Sequence, residues 1–141
     1  MGRYVEKPYP NSRKMIMLSY SPEQIENTAL TACHTQVQFQ VQNGKLNCMW
    51  TQASVDLFLG LPFNILSYAI LTHMLAKEVG LEVGELIGSL GDVHIYKEHI
   101  PQANEYLVNA ERMIDTKPPV FTYVGEQGKD FCLFEPSDLM M

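Results

Sequence analysis

Cysteine and positive charge are both scarce in this sequence. Its 141 residues include three cysteines, and their spacing matches no common metal-ligand pattern. An odd cysteine count without an N-terminal signal pattern predicts reduced thiols in a cytoplasmic protein. Asp and Glu (16) outnumber Lys and Arg (10), giving a formal net charge of −6. This balance argues against general binding to nucleic acids or membrane surfaces.

Long uninterrupted hydrophobic runs are also missing. The longest apolar stretch, residues 57–76, is broken by glycine, proline and polar residues, so it predicts a buried segment rather than a membrane span. Hydrophobic residues make up 46% of the chain and charged residues 18%, as in globular proteins. We expect a domain over residues 13–134, an arm over 1–12 and a tail over 135–141.

The first half of the chain has the pattern of strands. Residues 13–20 predict a strand, and Ser21-Pro22 predicts a short helix after it. Residues 35–42 alternate between apolar or Thr residues and glutamine, which predicts a strand with one amide face. Asn43-Gly44 predicts a tight turn into a partner strand over 45–52. The amide face can be solvated or can meet a second sheet.

The second half adds helices to the sheet. Residues 62–79 are apolar on most sides of a helix, which predicts a buried helix. Residues 85–95 predict a strand in which Gly88 and Gly91 indicate a bulge or a close backbone approach to a ligand. A second helix is expected over 98–115, and a terminal hairpin over 120–124 and 131–134. The fold class is α/β (α+β), with a mixed sheet packed against a long buried helix.

Two polar residues, Asp56 and Asn64, stand inside the apolar run 55–64. A buried polar group without a hydrogen-bond partner costs about 1–3 kcal/mol, so these two either hold the core together or bind a ligand. An asparagine amide both donates and accepts, so it can recognise a flat heterocycle with a lactam edge. The residues alone leave both readings open.

The segment 52–64, Gln-Ala-Ser-Val-Asp-Leu-Phe-Leu-Gly-Leu-Pro-Phe-Asn, resembles the nucleotide-binding signature of thymidylate synthases. Cys33-His34 and Gly-Asp-Val-His-Ile-Tyr at 91–96 resemble two further motifs of that family, in the same order and at similar spacing. The resemblance runs from about residue 10 to 106. It implies a thymidylate-synthase-like fold reduced to the nucleotide-binding half, and a homodimer formed through the sheet face.

The resemblance also implies the chemistry of the site. These enzymes methylate deoxyuridylate with 5,10-methylenetetrahydrofolate, and Cys33 would be the nucleophile that adds to the pyrimidine C6. Asp56 and Asn64 would contact the base, with Asn64 favouring uracil over cytosine. His94 and Tyr96 would bind the sugar 3′-hydroxyl. The implied substrate-binding residues are Arg13, Lys14, Gln52, Ser54, Asp56, Asn64, His94 and Tyr96.

The phosphate site is where the sequence departs from the family. Ser54 would bind phosphate, helped by Arg13 and Lys14 of the partner subunit, but Ala53 stands where the family has an arginine that holds the phosphate and supports the thiolate. Read without the resemblance, Arg13 and Lys14 could be a solvated strand start, Cys33 a small buried hydrophobe, and His94 and Tyr96 satisfied strand residues.

The chain is also about half the family's usual length, and no glutamate stands in a motif that matches the family's proton relay. The folate-stacking residues and the closing C-terminal pattern have no counterpart here. Three functions remain: a transferase that works with a separately encoded N-terminal half, a nucleotide-binding protein without catalysis, and a structural or interaction protein that reuses the dimeric fold. Deoxyuridylate binding and turnover would separate the three.

Overall fold

The computed structural model describes residues 11–112, 117, 122–123 and 139–140. Its elements in chain order are β1 (Ile16–Leu18), a 3₁₀ helix (Pro22–Asn27), β2 (His34–Gln42), β3 (Lys45–Asp56), α1 (Gly60–Glu78), β4 (Glu82–His94), a 3₁₀ turn (Lys97–His99), α2 (Ile100–Arg112), β5 (Thr122–Tyr123) and β6 (Leu139–Met140). The main sheet has the order β1-β2-β3-β4. Its first three strands are antiparallel neighbours, while β3 and β4 are parallel. The predicted α/β class with a mixed sheet is confirmed.

The tight turn between β2 and β3 forms where Asn43-Gly44 predicts it. Both residues have left-handed backbone, with φ of 52° at Asn43 and 76° at Gly44. These are the two positive φ values that a type I′ hairpin turn requires, and Asn and Gly tolerate them better than other residues. The turn fixes the register of β2 against β3, so it decides which residues share each sheet face.

One face of the sheet packs against α1 and forms the core. Residues that pair directly across two strands lie on the same face, and three such pairs on this face are Val37–Trp50, Phe39–Cys48 and Val41–Leu46. Leu75 and Ala76 of α1 pack against them. The opposite face carries the predicted glutamine row, with Gln36, Gln38 and Gln40 paired with Thr51, Met49 and Asn47. We call this opposite side the amide face.

The prediction that α1 is buried on nearly every side is wrong for its first half. Only Thr72, Leu75 and Ala76 of this helix are buried, and Phe63 is 67% exposed. The sheet covers one side of the helix, and the described residues leave the first turns open on the other side. The apolar sequence pattern therefore predicts more cover than these residues supply.

The glycines of β4 meet protein rather than a ligand. A Cβ on Gly88 would lie 2.6 Å from the Trp50 ring, and one on Gly91 would lie 2.5 Å from the Ala53 carbonyl oxygen. The close approach predicted from the sequence is thus to β3, and the register shift between β3 and β4 falls at Leu46 and Cys48 instead. Gly88 leaves room for the only tryptophan of the chain.

Several element ends differ from the predictions. β1 covers three of the eight predicted residues, and the helix after Ser21 is a 3₁₀ helix without a side-chain cap. α2 starts two residues later than predicted, and residues 113–115 lie outside the described part. Thr122–Tyr123 pairs with Leu139–Met140, while 131–134, the predicted partner, lies outside the described residues. Over the described ranges, no helix is long and apolar enough to cross a membrane.

Candidate functional site

Three strand ends meet at one end of the sheet. β3 and β4 are parallel, so their carboxyl ends lie side by side, with Asp56 paired with His94. β2 is antiparallel to β3 and begins at the same end, where His34 pairs with Gln52. Ligands commonly bind beyond the carboxyl ends of parallel strands. We call this region the strand-end site; the predicted residues in or beside it are Cys33, Gln52, Ser54, Asp56, Asn64, His94 and Tyr96.

Cys33 is a half-buried free thiol immediately before β2. Its carbonyl oxygen accepts a hydrogen bond of 2.8 Å from the backbone N–H of Ala53, which ties it to β3. Its Sγ lies 3.9 Å from the carbonyl oxygen of Thr31, a long and weak contact. A partly accessible thiol beside the strand ends can act as a nucleophile toward a bound ligand. The neighbouring position 53 brings only a methyl group, so it supplies no positive charge.

Gln52 and Asn64 are joined by a hydrogen bond between the end of β3 and the first turns of α1. Gln52 is 3% exposed, and its Nε2 donates to the Asn64 Oδ1 at 3.1 Å and to the Ser54 carbonyl oxygen at 3.0 Å. Its Oε1 accepts from the Trp50 indole N–H at 3.4 Å. Both polar atoms of this buried amide are therefore satisfied. Asn64 is half-buried, and Ser54 is exposed at the same end of the sheet.

His34, the neighbour of the thiol, is held by an aromatic stack. Its Nδ1 lies 2.8 Å from the Tyr68 hydroxyl of α1, and Tyr68 stacks on Trp50 with ring centroids 5.2 Å apart. Burial raises the pKa of the Tyr68 phenol, so its hydroxyl stays protonated at neutral pH. Sequence reasoning missed Tyr68 and Trp50. The available signal was that Trp50 stands two residues before Gln52 in a strand, which puts both on one face.

Asp56 holds the turn between β3 and α1. Its Oδ1 accepts from the backbone N–H groups of Phe58 at 3.1 Å and Leu59 at 3.4 Å. These donors lie just before the helix, where backbone N–H groups have no partner within the helix. Of the two alternatives that the sequence left open, the structure shows a turn-holding role for this oxygen. This turn also determines where the first turns of α1, and with them Asn64, lie relative to β3.

His94 and Tyr96 form the β4 side of the site. Their rings meet edge to face with centroids 5.2 Å apart. The His94 Nδ1 lies 3.2 Å from the Asp92 carbonyl oxygen, and the His94 carbonyl accepts from the Leu57 N–H at 2.9 Å. These contacts fix the backbone and the ring of His94 beside Asp56. Tyr96 is exposed, so its hydroxyl is accessible to a ligand.

Arg13 and Lys14 lie away from the strand-end site. β1 runs antiparallel to β2, and the Met15 carbonyl accepts from the Phe39 N–H, so the residues before Met15 point toward the Asn43-Gly44 end. Phe39 is six residues beyond Cys33, a separation of about 20 Å along a strand. The two basic residues therefore cannot join the strand-end site of their own chain. They are the members of the predicted set that the fold does not bring together with the others.

An apolar cavity of about 460 Å³ lies between the start of α1 and α2. Sequence reasoning did not predict it, because α2 joins it from a distant part of the chain. Within the described ranges, no group of three or more His, Cys, Asp or Glu side chains is placed to hold a metal ion. The lining residues of the cavity are Leu57, Phe58, Pro62, Ile95, Ala103, Tyr106 and Leu107.

Comparisons with known proteins point to one family. The family model described as thymidylate synthase matches residues 6–140. Thymidylate synthase from Listeria monocytogenes serotype 4a (strain HCC23) is 55% identical over 101 residues, which are 72% of this chain and 32% of that protein. Thymidylate synthase from Listeria innocua serovar 6a is 54% identical over the same coverage. The chain thus spans about a third of the length of these curated relatives.

Proposed function

Because this chain belongs to the thymidylate synthase family, we propose that its strand-end site binds deoxyuridylate or a related pyrimidine nucleotide. The observation that carries the proposal is that the chain brings Cys33, Ser54, Asn64, His94 and Tyr96 to one end of the sheet, from four separate elements or their flanks. Asn64 is already held there by Gln52. A preformed set of donors and acceptors loses less freedom when a ligand binds.

Each residue has a proposed part in binding. Asn64 pairs with the N3–H and O4 edge of uracil, since its amide donates and accepts. Asp56 contributes to the base site through the turn it holds and through its second carboxylate oxygen. The Tyr96 hydroxyl and the His94 ring bind the sugar 3′-hydroxyl, and Ser54 binds the phosphate. Gln52 completes the site by fixing Asn64.

Cys33 is the proposed nucleophile for the pyrimidine C6. In the family, such an addition prepares C5 for the one-carbon group that methylenetetrahydrofolate supplies. A flat cofactor of this kind needs apolar cover from two sides. Leu59 and Phe63, which are 47% and 67% exposed, are the proposed cover for one side, and no second side is proposed among the described residues. These residues by themselves therefore do not form a folate site. We propose that the residues of this chain bind nucleotide without turnover, and that turnover requires the parts of the family's fold that these residues do not supply.

A homodimer through the amide face is the proposed assembly. Ile16, Leu18, Met49 and Ile87 are exposed on this face beside the glutamine row. Apolar residues in such number on one sheet face favour a protein partner. In a twofold pair with antiparallel sheets, the Asn43-Gly44 end of one chain lies over the strand-end site of the other. Arg13 and Lys14 of the partner subunit would then supply the phosphate with the charge that Ala53 does not.

We propose a cytoplasmic location because the two described cysteines, Cys33 and Cys48, are both free thiols. Free thiols are usual in a reducing compartment.

A binding protein without catalysis is the second candidate function. Ala53 favours it, because a missing charge-assisted phosphate contact weakens nucleotide binding by about 1.5–3 kcal/mol and leaves the thiol without a neighbouring cation. Deoxyuridylate binding without turnover in the presence of any N-terminal partner would support this candidate. A structural or interaction role would instead show no nucleotide binding at all.

Calorimetric titration with deoxyuridylate tests the proposed site. We expect saturable binding that weakens about tenfold or more in Asn64→Ala, because two hydrogen bonds to the base are lost. Asn104→Ala, at an exposed position of α2, is the matched control and leaves the affinity unchanged. No binding by the unsubstituted chain, or equal binding by both variants, would contradict the proposal.

Tritium release from 5-tritiated deoxyuridylate tests the proposal on turnover. With methylenetetrahydrofolate present, we expect no release above background from the chain alone. The chain lacks the phosphate-binding arginine, the glutamate of the proton relay and the folate-stacking residues of the family. Together these absences should lower the rate by on the order of 10⁴-fold or more. Release at an enzymatic rate that Cys33→Ser abolishes would show that the 141-residue chain is a complete catalyst.

A further inference from the structure

We propose that Trp50 is a specificity-determining positioning residue, which orients the Asn64 amide through Gln52 and so makes the site prefer uracil to cytosine. The inference rests on the proposed function of the strand-end site. Trp50 is 4% exposed, so protein rather than open surface surrounds its ring. It acts through two hydrogen bonds in series, from Trp50 to Gln52 and from Gln52 to Asn64.

The first step is the orientation of the Gln52 amide. An indole N–H can only donate and a backbone carbonyl oxygen can only accept. Gln52 has Trp50 Nε1 on one side at 3.4 Å and the Ser54 carbonyl oxygen on the other at 3.0 Å. Only one orientation satisfies both partners, with the Gln52 oxygen toward Trp50 and its NH₂ group toward Ser54. The reversed amide would place NH₂ against N–H and oxygen against oxygen.

The second step carries this polarity to Asn64. The Gln52 NH₂ group points at Asn64, so Asn64 must present its oxygen there, as the 3.1 Å contact shows. A reversed Asn64 would set its own NH₂ group against that of Gln52. The Asn64 amide is thus fixed with Oδ1 on the Gln52 side and Nδ2 on the other side.

The order of donor and acceptor at Asn64 matters for base selection. Uracil presents a donor at N3 and an acceptor at C4, whereas cytosine presents an acceptor at N3 and a donor at C4. An asparagine that can flip pairs with either base, because flipping exchanges its two groups. A fixed asparagine pairs well with one base and meets the other with unpaired groups, which is how polar sites reject a close analogue.

Trp50 is itself held in place on both sides. Tyr68 stacks on its ring with an interplanar angle of 22°, and Gly88 on β4 leaves the space that the ring fills. Packing of this kind limits the indole to one rotamer. The N–H direction is therefore set by the core rather than by the ligand.

The test compares the affinities for deoxyuridylate and deoxycytidylate. Trp50 is the only tryptophan, so it can be replaced biosynthetically by 3-benzothienylalanine, in which sulfur stands where the indole N–H was. We expect the preference for deoxyuridylate to fall about three- to tenfold, since one donor is removed at nearly constant shape. Trp50→Phe should lower the preference in the same direction. Simple structural damage would instead weaken both nucleotides alike and leave their ratio unchanged.

Gln52→Met provides a second route and does not alter Trp50. It removes both amide groups at similar volume, frees Asn64 to flip, and should bring the affinity ratio close to one. The single indole N–H resonance should shift in the same variant, because its acceptor is lost. An unchanged ratio with the sulfur analogue, or an unmoved indole signal in Gln52→Met, would overturn this inference alone. If the unsubstituted chain binds neither nucleotide, the proposed function falls and the inference falls with it.

Discussion

The two faces of the main sheet differ in how far this chain completes them. On the α1 face, Trp50, Gln52 and Asn64 form a connected set in which the buried amide has partners for both of its polar atoms. On the amide face, Leu18 is 72% exposed and Met49 is 40% exposed beside a row of glutamines. The first face can therefore be formed by the chain alone. The second has the composition of a surface that another protein covers.

Ligand binding and dimer formation are therefore proposed to depend on different faces of the sheet. The groups proposed to read the base and sugar belong to the first face and its strand ends, which one chain supplies. The proposed positive charge for the phosphate lies at Arg13 and Lys14, at the far end of the sheet, so under the proposal a partner subunit supplies it. Variants on each face should consequently change different observables.

A charge on the amide face should have the largest effect. We expect Met49→Asp to weaken the proposed dimer about 100-fold or more, because an unpaired carboxylate would be buried between the sheets. Sedimentation velocity over a range of concentrations measures this. Leu107→Asp, at an exposed position of α2, is the control and should leave the dimer unchanged. An unsubstituted chain that is monomeric at micromolar concentration would remove the dimer and the cross-subunit role of Arg13 and Lys14.

A methyl group at position 88 should destabilise the packing of the α1 face. A Cβ there would lie 2.6 Å from the Trp50 ring, so Gly88→Ala should lower the free energy of unfolding by about 1–3 kcal/mol. Ser89→Ala, at the next and exposed position of β4, should change it by less than about 0.5 kcal/mol. Urea unfolding monitored by tryptophan fluorescence gives both values. Equal stabilities would mean that the ring does not fill this space.

An arginine at position 53 should allow the chain itself to bind the phosphate, a role proposed above for Arg13 and Lys14 of the partner subunit. Ala53→Arg should raise the affinity for deoxyuridylate about tenfold, since a guanidinium can bind phosphate through two hydrogen bonds. The affinity for deoxyuridine, which lacks the phosphate, should stay the same, and Ala53→Met is the control for side-chain size. Turnover should not appear. A gain shared equally by nucleotide and nucleoside would show that position 53 is not beside the phosphate.

Alkaline pH should lower the free energy of unfolding slightly, through one buried and one half-buried group on the α1 face. Burial raises the pKa of the Cys48 thiol above its ordinary value of 9.0, an effect that the Thr72 hydroxyl partly offsets. The unfolded chain then loses this proton before the folded chain does, so stability falls as the pH rises above 9. Tyr68, with a pKa raised by burial, extends the fall above pH 10. Unfolding free energies from pH 7 to 10 should show the decline, and Cys48→Ala should remove its first part; a flat profile would contradict this reasoning.

Local chemistry made much of the fold predictable. The Asn43-Gly44 pair specified the turn, and the glutamine alternation specified β2 and its two faces. The β3 strand is longer than the predicted 45–52, because its pairing with β4 continues to Asp56 and His94. That pairing is parallel and joins residues 38 positions apart, so no short window of sequence contains it.

The site was predictable in part for the same reason. The proposed site residues come from local motifs, but the residues that hold them in place come from distant positions. Tyr68 contacts His34 although 34 residues separate them in the sequence. Gly88 leaves space for the Trp50 ring, although Trp50 precedes α1 in the sequence and Gly88 follows it. The sequence pattern also predicted a buried α1 with apolar residues on most sides, whereas the described residues leave its first turns exposed. An apolar helix sequence predicts burial, but it does not indicate which residues supply the cover.

The most direct test of the proposed site is a titration of the ¹⁵N-labelled chain with deoxyuridylate, followed by NMR. We predict that the side-chain amide signals of Gln52 and Asn64 and the backbone signals of Ser54, His94 and Tyr96 shift together and saturate at one dissociation constant. Signals from α2 residues 104–112 should stay in place. Shifts confined to other parts of the chain, or no shifts at millimolar nucleotide, would contradict a pyrimidine nucleotide site at the strand ends.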